Sequence, residues 1–382
     1  MEQVYLDWAA SSWPKPTGVA QAMVDFMGAN GANPGRGGHR QAMTASRAIY
    51  ECRVELAKLF HVDRPTDIAL LSSATEALNL AIKGFLKPGD HVISTELEHN
   101  SVRRPLEWVR VNQQVEVTYV GASRNGTIDL QEVSKAFRPT TKLFACSHAS
   151  NLLGSVVPIA KIAEMCSERG VKLLVDAAQT AGSFPIDVNA MGIDMLAFPG
   201  HKGLLGPQGT GGLYIHPEIE LEPLLHGGTG SNSEEVGQPT VRPERYEAGT
   251  RNTPGLVGLK EGVRFVNTET VASIRAHESK LIRRMQEGLE AIPGICCLGP
   301  NRGEERASLL AFVRKGEDPA VTAHRLDREY GIAVRAGYHC SPLGHQTAGT
   351  TETGAVRSSV GYATTTEQVD TFLEAIRTMP AK

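Results

Sequence analysis

Short apolar runs alternate with segments of helical spacing along most of the chain. Apolar and β-branched residues predict strands at 68–71, 91–94, 115–120, 142–146, 172–175, 195–198 and 209–215. Apolar residues at helical spacing predict the intervening helices 75–84, 101–111, 130–137 and 158–168. This alternation is typical of a largely parallel sheet with helices on both faces, so we expect an α/β fold.

The pattern changes after a Gly/Ser/Pro-rich stretch at 227–243. A charge-laced helical pattern over 254–292 predicts one long helix that bridges two domains. Strands at 308–313, 332–335 and 355–360 and helices at 319–330 and 367–379 then predict a small α/β unit. A length of 382 residues also favours two domains.

Composition and charge favour small-molecule chemistry. The net charge is −3 and the 39 basic residues are scattered, so we expect neither a nucleic acid nor a membrane as partner. We predict a cytoplasmic protein, because no basic leader or 18-residue apolar span is visible. The cysteines form no Cys-x-x-Cys pair, which favours free thiols and no metal site.

An acid and a lysine suggest a cofactor. Asp176 follows the apolar run 172–175, and Lys202 lies between Gly200 and Gly203 after His201. Pyridoxal phosphate (PLP) needs a carboxylate at its ring nitrogen and a lysine for its aldehyde. Gln179 could bond the ring oxygen. The alternatives are that Asp176 caps a turn and that Lys202 is an ordinary surface lysine.

Three further segments could complete such a site. Small residues around Ala74 and Thr75 lead from a strand into a helix, whose N-terminus would suit a phosphate or be an ordinary N-cap. His99 follows the strand 91–94, where an imidazole could stack on a pyridine ring and act catalytically by shuttling protons, or be structural. Asn151 follows another strand, and its amide could reach the ring.

These segments resemble the class V, fold type I, PLP-dependent enzymes, and among them the cysteine desulfurase and selenocysteine lyase group. The matching segments are Ala74-Thr75-Glu76-Ala77-Leu78-Asn79, Glu98-His99, Ser147-His148-Ala149-Ser150-Asn151, Val175-Asp176-Ala177-Ala178-Gln179, Gly200-His201-Lys202, Tyr246-Glu247-Ala248-Gly249-Thr250 and Arg335-Ala336-Gly337-Tyr338-His339-Cys340. The resemblance implies a large, mixed, mostly parallel sheet domain at 15–255. Residues 1–14 and 256–382 would form a smaller α/β domain that carries the catalytic cysteine and the substrate arginine.

The resemblance also implies a role for each matching residue. Lys202 would form the Schiff base, Asp176 would pair with the ring nitrogen, Gln179 with the ring hydroxyl, His99 would stack on the ring, and Ala74, Thr75 and His201 would hold the phosphate. Thr250 would reach the phosphate of a partner subunit, which implies a homodimer. Asn151 would stand near the ring and the substrate. Arg357 would grip the substrate carboxylate with a bidentate fork.

Cys340 resembles the persulfide-forming nucleophile of this family. The Gly/Thr-rich residues 341–350 predict a mobile loop, and His339 and His345 could lower the pKa of the thiol or relay a proton. The alternative is a small buried hydrophobe. Where many relatives have serine, this chain has Pro199, and residues 227–231 could supply the missing phosphate donor instead.

The implied activity is a PLP-dependent cysteine desulfurase. It would convert L-cysteine to L-alanine, leave a persulfide on Cys340, and pass the sulfur to an acceptor protein in iron–sulfur assembly or thiolation. The alternatives are a selenocysteine lyase acting on L-selenocysteine, a C–S lyase or aminotransferase that leaves Cys340 idle, and a catalytically silent PLP-binding scaffold.

Overall fold

The computed structural model describes residues 3–35, 37–230 and 234–380. Its strands are β1 (Val4–Tyr5), β2 (Ile68–Leu71), β3 (His91–Thr95), β4 (Glu116–Val120), β5 (Thr141–Ser147), β6 (Lys172–Asp176), β7 (Met195–Pro199), β8 (Gly211–Ile215), β9 (Ile295–Cys297), β10 (Leu309–Arg314), β11 (Ile332–Ala333), β12 (Arg335–Gly337) and β13 (Ala355–Ser359). Its α-helices are α1 (Thr17–Ala29), α2 (Arg40–Phe60), α3 (Ala74–Phe85), α4 (Asn100–Asn112), α5 (Leu130–Ala136), α6 (Ile159–Ser167), α7 (Thr253–Glu269), α8 (Val271–Glu290), α9 (Pro319–Tyr330), α10 (Pro342–Ala348) and α11 (Thr366–Thr378). Within the described ranges, no helix is both long and apolar enough to span a bilayer.

A large sheet with strand order β2-β8-β7-β6-β5-β3-β4 forms the centre of the fold. All its strands run parallel except β8, which pairs antiparallel with both neighbours. This mixed, mostly parallel sheet confirms the predicted α/β class. Because β3, β5, β6 and β7 point the same way, the residues after them meet at one sheet edge.

Helices cover both faces of the large sheet, and each face has its own apolar core. One core includes Phe60 from α2, Phe198 from β7 and Leu259 from α7. The other packs α3 and α4 against the opposite face. Strands that are buried on both sides explain the continuous apolar runs in the sequence.

The C-terminal part builds a second, antiparallel sheet with strand order β12-β13-β10-β9. Its core joins α8 and α11 to Phe312 of β10 and also includes Val4 and Leu6. The N-terminal β1 pairs in parallel with β11. The first residues of the chain therefore pack with its last third, while the exact division into two domains stays a prediction.

The predicted single helix over 254–292 is wrong. Thr270 has a φ of 66° and separates α7 from α8, and its side chain accepts a hydrogen bond from the Ser273 amide at the start of α8. Helix α7 packs against α1 and α2, and Leu256 and Val263 contribute to the core of the large sheet. The apolar spacing continues through the break, so the sequence pattern does not reveal it. The break instead reflects the different packing partners of α7 and α8.

Other differences are local. The predicted strand 332–335 is divided, since β11 pairs with β1 whereas β12 pairs with β13. The predicted mobile segment after Cys340 contains the short helix α10, of which Gly344, His345 and Ala348 are buried.

A close contact between two turns fixes the position of Lys202. Gly182 has a φ of +86°, and a Cβ there would lie 2.2 Å from the carbonyl oxygen of Gly203. We expect Gly182→Ala to lower the free energy of unfolding by about 3 kcal/mol or more, from left-handed strain plus the clash. Gly170→Ala is the matched control, because Gly170 has a φ of +65° and open space around it. It should lose only about 1 kcal/mol in urea unfolding, and equal losses would contradict the close-contact interpretation.

Candidate active site

A cavity of about 230 Å³ lies at the carboxyl edge of the large sheet. Most of the predicted site residues line it, namely Ala74, Thr75, His99, Asn151, Asp176, Gln179, His201, Lys202 and Arg357. His99 follows β3, Asn151 follows β5, Asp176 ends β6 and Lys202 follows β7. The small sheet contributes Arg335 and Arg357. The cavity therefore lies where the two sheets meet.

Asp176 is a buried carboxylate with a single local donor. It is 4% exposed and accepts a hydrogen bond of 2.9 Å from the Ala178 amide. Burial raises its pKa, and the nearby Lys202 opposes that rise. Among the described residues Asp176 forms no ion pair within 4 Å. A cationic ligand group in the cavity would offset the cost of burying this charge.

Lys202 is held as a reactive amine. Burial is the main cause that lowers its pKa to about 8, and the Arg357 guanidinium lowers it further, whereas Asp176 raises it. A lysine with such a pKa is a partly neutral nucleophile near neutral pH. This environment fits a Schiff-base lysine better than the surface lysine that the sequence alone left open.

His99 is a neutral ring that a neighbouring serine orients. Its Nδ1 accepts a hydrogen bond of 3.0 Å from the Ser101 amide, which leaves the proton on Nε2. Burial lowers the pKa of His99 to about 4, and the positive charge of Lys202 adds to the effect. The Ser101 hydroxyl also lies 2.9 Å from His99 Nδ1 and 2.8 Å from the Thr75 hydroxyl. Ser101 was not among the predicted site residues, although its place two residues after His99 in the first turn of a helix was a usable signal.

The N-terminus of α3 borders the cavity, which Ser73, Ala74 and Thr75 all line. Ser73 also caps α3, because its side chain accepts a hydrogen bond from the Glu76 amide, so the N-cap alternative is correct for Ser73. Pro199 also lines the cavity and offers no hydroxyl there. Ser231, one of the residues considered as a replacement, lies outside the described residues.

The N-terminal segment fixes the residue before Lys202. The carbonyl oxygen of His201 accepts hydrogen bonds of 3.0 Å from the Ser12 amide, the Ser12 hydroxyl and Lys15 Nζ. The His201 ring lies beside Ser11, and burial lowers its pKa to about 4. The ring is therefore neutral and can serve an anion as a hydrogen-bond donor.

Two arginines face each other across the small sheet. Arg335 on β12 pairs directly with Arg357 on β13, and both line the cavity. Arg357 is 1% exposed, donates 2.9 Å to the Asn151 carbonyl and 3.1 Å to Asp7, and its Nε has no partner among the described residues. Two opposed like charges repel, so an anion between them would be stabilising. Arg335 had no predicted role, because only the strand register brings it opposite Arg357.

Cys340 lies beside the cavity, on a turn that hydrogen bonds hold. His339, which does line the cavity, and Cys340 have φ values of 48° and 59°. The Asn100 amide donates 2.8 Å to the Cys340 carbonyl. Ser341 precedes α10, and its hydroxyl donates 3.3 Å to the Glu98 carbonyl. The predicted mobile loop is in this structure an anchored turn.

Burial disfavours the charged forms of both neighbouring histidines. It lowers the pKa of His339 to about 3, and it also lowers the pKa of His345. Neither ring therefore places a positive charge beside Cys340. Arg357 interacts electrostatically with Cys340.

Thr250 lies apart from this cavity and is exposed. A buried network holds its segment against β2: Glu247 accepts 2.6 Å from the Leu70 amide and pairs with Arg53, and Arg251 donates 2.8 Å to the Leu70 carbonyl. An exposed threonine on a rigid support agrees with the expectation that it serves another subunit, which stays a prediction.

The comparisons with known proteins agree with this geometry. The family model described as aminotransferase class-V matches residues 4–372. A probable cysteine desulfurase from Methanothermobacter thermautotrophicus is 35% identical over 98% of this chain and 94% of its own length. A cysteine desulfurase from Klebsiella pneumoniae is 31% identical over 98% of this chain and 92% of its own.

Solved structures give the same result. The apo structure of a cysteine desulfurase from Thermococcus onnurineus has a TM-score of 0.93 at 32% identity and covers 98% of this chain and 94% of its own. The Escherichia coli cysteine desulfurase CsdA has a TM-score of 0.89 at 27% identity with the same coverage. The chain belongs to the class-V aminotransferase family of PLP-dependent enzymes, with the fold type I architecture. Within that family its relatives are the cysteine desulfurases.

The pKa of Lys202 predicts the pH dependence of PLP attachment. Only the neutral amine attacks an aldehyde, so covalent attachment to the apo-protein, trapped with borohydride, should speed up with rising pH, reach half of its maximal rate near pH 8 and level off about one pH unit higher. Asp176→Asn should lower this midpoint and Arg357→Gln should raise it, since the two charges act on Lys202 in opposite directions. A midpoint that neither variant moves would contradict this electrostatic account.

Proposed function

We propose that this chain is a PLP-dependent cysteine desulfurase that converts L-cysteine to L-alanine and retains the sulfur as a persulfide on Cys340. One observation carries the proposal: a single cavity brings together Lys202, Asp176, His99 and Arg357, with Cys340 on an anchored turn beside it. A PLP-binding scaffold without activity would need neither the opposed arginines nor the adjacent thiol.

The residues present fit PLP. Asp176 offers the ring nitrogen a buried carboxylate that has no ion-pair partner within the described ranges, and Lys202 offers a partly neutral amine to the aldehyde. Thr75, Ser101 and His201 would hold the phosphate at the N-terminus of α3, and His99 would stack on the ring. When bound, PLP withdraws electrons from the substrate and so activates its Cα–H and Cβ–S bonds.

The substrate carboxylate fits between the opposed arginines. Arg357 keeps donors available after its bonds to Asp7 and Asn151, and Arg335 adds a second charge from the facing strand. Two guanidinium groups orient a carboxylate and leave the side-chain sulfur to point elsewhere. The substrate Cα proton moves between Lys202 and the substrate, because the amine of Lys202 changes protonation state near neutral pH.

The sulfur transfer balances without an added oxidant or reductant. The Cys340 sulfur forms a bond to the substrate sulfur, and the substrate Cβ–S bond breaks. Cβ is reduced from C–S to C–H, while the transferred sulfur is oxidised from the thiol level to the persulfide level. The Cys340 thiol releases one proton and Cβ takes up one proton, so cysteine plus thiol gives alanine plus persulfide. A sulfur-acceptor protein would then regenerate the thiol.

The active unit of this proposal is a homodimer. Large apolar side chains on α1 and α2 are exposed, among them Met27 at 56% and Met43 at 63%. Exposed apolar side chains of this size favour an interface with another copy of the chain. The exposed Thr250 would then reach the phosphate in the partner subunit.

Substitution of the nucleophile tests the proposed reaction. With PLP-loaded protein, L-cysteine and a reductant, we expect equal amounts of alanine and sulfide. Cys340→Ser should lower both by at least about 100-fold, because a hydroxyl does not accept sulfur. Cys296→Ser is the control, since this exposed cysteine lies on β9, away from the cavity.

Other products would point to other activities. Pyruvate in place of alanine, or full activity of Cys340→Ser, would indicate a C–S lyase or an aminotransferase. A much higher rate with L-selenocysteine than with L-cysteine would indicate a selenocysteine lyase.

Subunit complementation tests the role of Thr250. Lys202→Ala and Thr250→Asp should each be inactive as pure dimers. After the two are unfolded and refolded together, about one quarter of the wild-type activity should return, because half the dimers are mixed and each has one intact site. No return of activity from confirmed mixed dimers would show that Thr250 does not act across an interface.

A further inference from the structure

The turn that carries Cys340 is bonded on both sides of the cysteine, to the cavity-lining Asn151 and to Asn100, which lies between the cavity-lining residues His99 and Ser101. Asn151 Nδ2 donates 2.6 Å to the carbonyl of His339, which is the peptide group before Cys340. The Asn100 amide, directly after His99, donates 2.8 Å to the carbonyl of Cys340 itself. The two peptide groups that flank the nucleophile are therefore held by residues beside the proposed ring site.

Asn151 is the member of this pair that a bound molecule can act on. It is 7% exposed and lines the cavity, and its Oδ1 has no hydrogen-bond partner among the described residues. The second hydrogen on its Nδ2 is also available, because an amide nitrogen carries two. A molecule that bonds this amide from inside the cavity fixes the orientation of the amide plane, and with it the bond to the His339 carbonyl.

The backbone at this turn needs such support. His339 and Cys340 are consecutive non-glycine residues with positive φ values, a conformation that costs about 1 kcal/mol or more for each residue. The backbone of Asn151 is fixed as well, since its carbonyl accepts 2.9 Å from Arg357. The side-chain amide of Asn151 thus connects a fixed backbone segment to a strained turn.

We propose that Asn151 is a positioning residue that couples occupation of the cavity by PLP to the conformation of the Cys340 turn. The proposal rests on Cys340 as the nucleophile of the proposed function and adds a coupling device to it. With PLP bound, the side chain of Asn151 holds the nucleophile in place. Without PLP, the side chain of Asn151 keeps only its bond to the His339 carbonyl, and the turn opens more often.

Hydrogen–deuterium exchange of the full-length protein, without cysteine, tests this coupling. In the wild type, PLP should slow exchange in the peptide covering residues 335–345 by about fivefold or more, since a fixed hydrogen bond reduces local opening. In Asn151→Ala this peptide should exchange fast with or without PLP, while the visible absorbance confirms that PLP is bound. Asn189→Ala is the matched control, because Asn189 donates 2.8 Å from its amide to the His61 carbonyl on the surface.

The difference in exchange rate between the PLP-bound and the PLP-free protein distinguishes coupling from a merely structural role. A structural role alone would raise exchange equally in both states and preserve the difference, and that result would overturn the proposal. Asn151→Asp keeps the volume but replaces the donor with an acceptor, so it should behave like Asn151→Ala and serves if the alanine variant does not fold. Because no substrate is present, this result is independent of whether the enzyme forms alanine from cysteine.

Discussion

The parallel alignment of β3, β5, β6 and β7 is the constraint on which the site depends. Each of these strands delivers one polar residue to the same sheet edge: His99, Asn151, Asp176 and Lys202. Strands that are apolar on both faces cannot shift in register without exposing their cores, so the spacing of these residues is as rigid as the sheet. The geometry of the site is therefore set by the packing of core residues that are not themselves catalytic.

Electrostatic interactions then shift the pKa values of the residues that packing has brought together. Desolvation raises the pKa of Asp176 and lowers the pKa of Lys202, and the interaction between the two groups opposes both shifts. Arg335 and Arg357 lower the pKa of Lys202, whereas Asp176 raises it, and the amine is therefore half-protonated near pH 8. The same desolvation leaves His99, His201 and His339 neutral, so the fixed positive charges of the cavity are guanidinium groups.

The sequence was sufficient for the parts that depend on local patterns. The strands of the large sheet appear within a few residues of their predicted bounds, because each is a continuous apolar run that ends in polar residues. Asp176 and Lys202 were identifiable, since an acid after a buried strand and a lysine between glycines are unusual in combination. Family resemblance added Arg357 and Cys340, which no local pattern would have singled out.

Features that arise from long-range pairing were not predictable in this way. The role of Arg335 depends on the register of β12 against β13, and the anchored turn at Cys340 depends on donors at Asn100 and Asn151. Helices α1 and α2 were not predicted, because their exposed apolar residues blur the helical spacing. The break at Thr270 is set by the different packing partners of α7 and α8.

The N-terminal segment has a consequence for the order in which this protein matures. Residues 4–15 pair with β11, bond the His201 carbonyl through Ser12 and Lys15, and bind Arg357 through Asp7. These residues are synthesised well before their partners near residues 332 and 357. A nascent chain can form the large sheet while the site stays open, and the cavity closes only after residues 332–357 have been made. Assembly of the cavity thus depends on segments that are far apart in the order of synthesis.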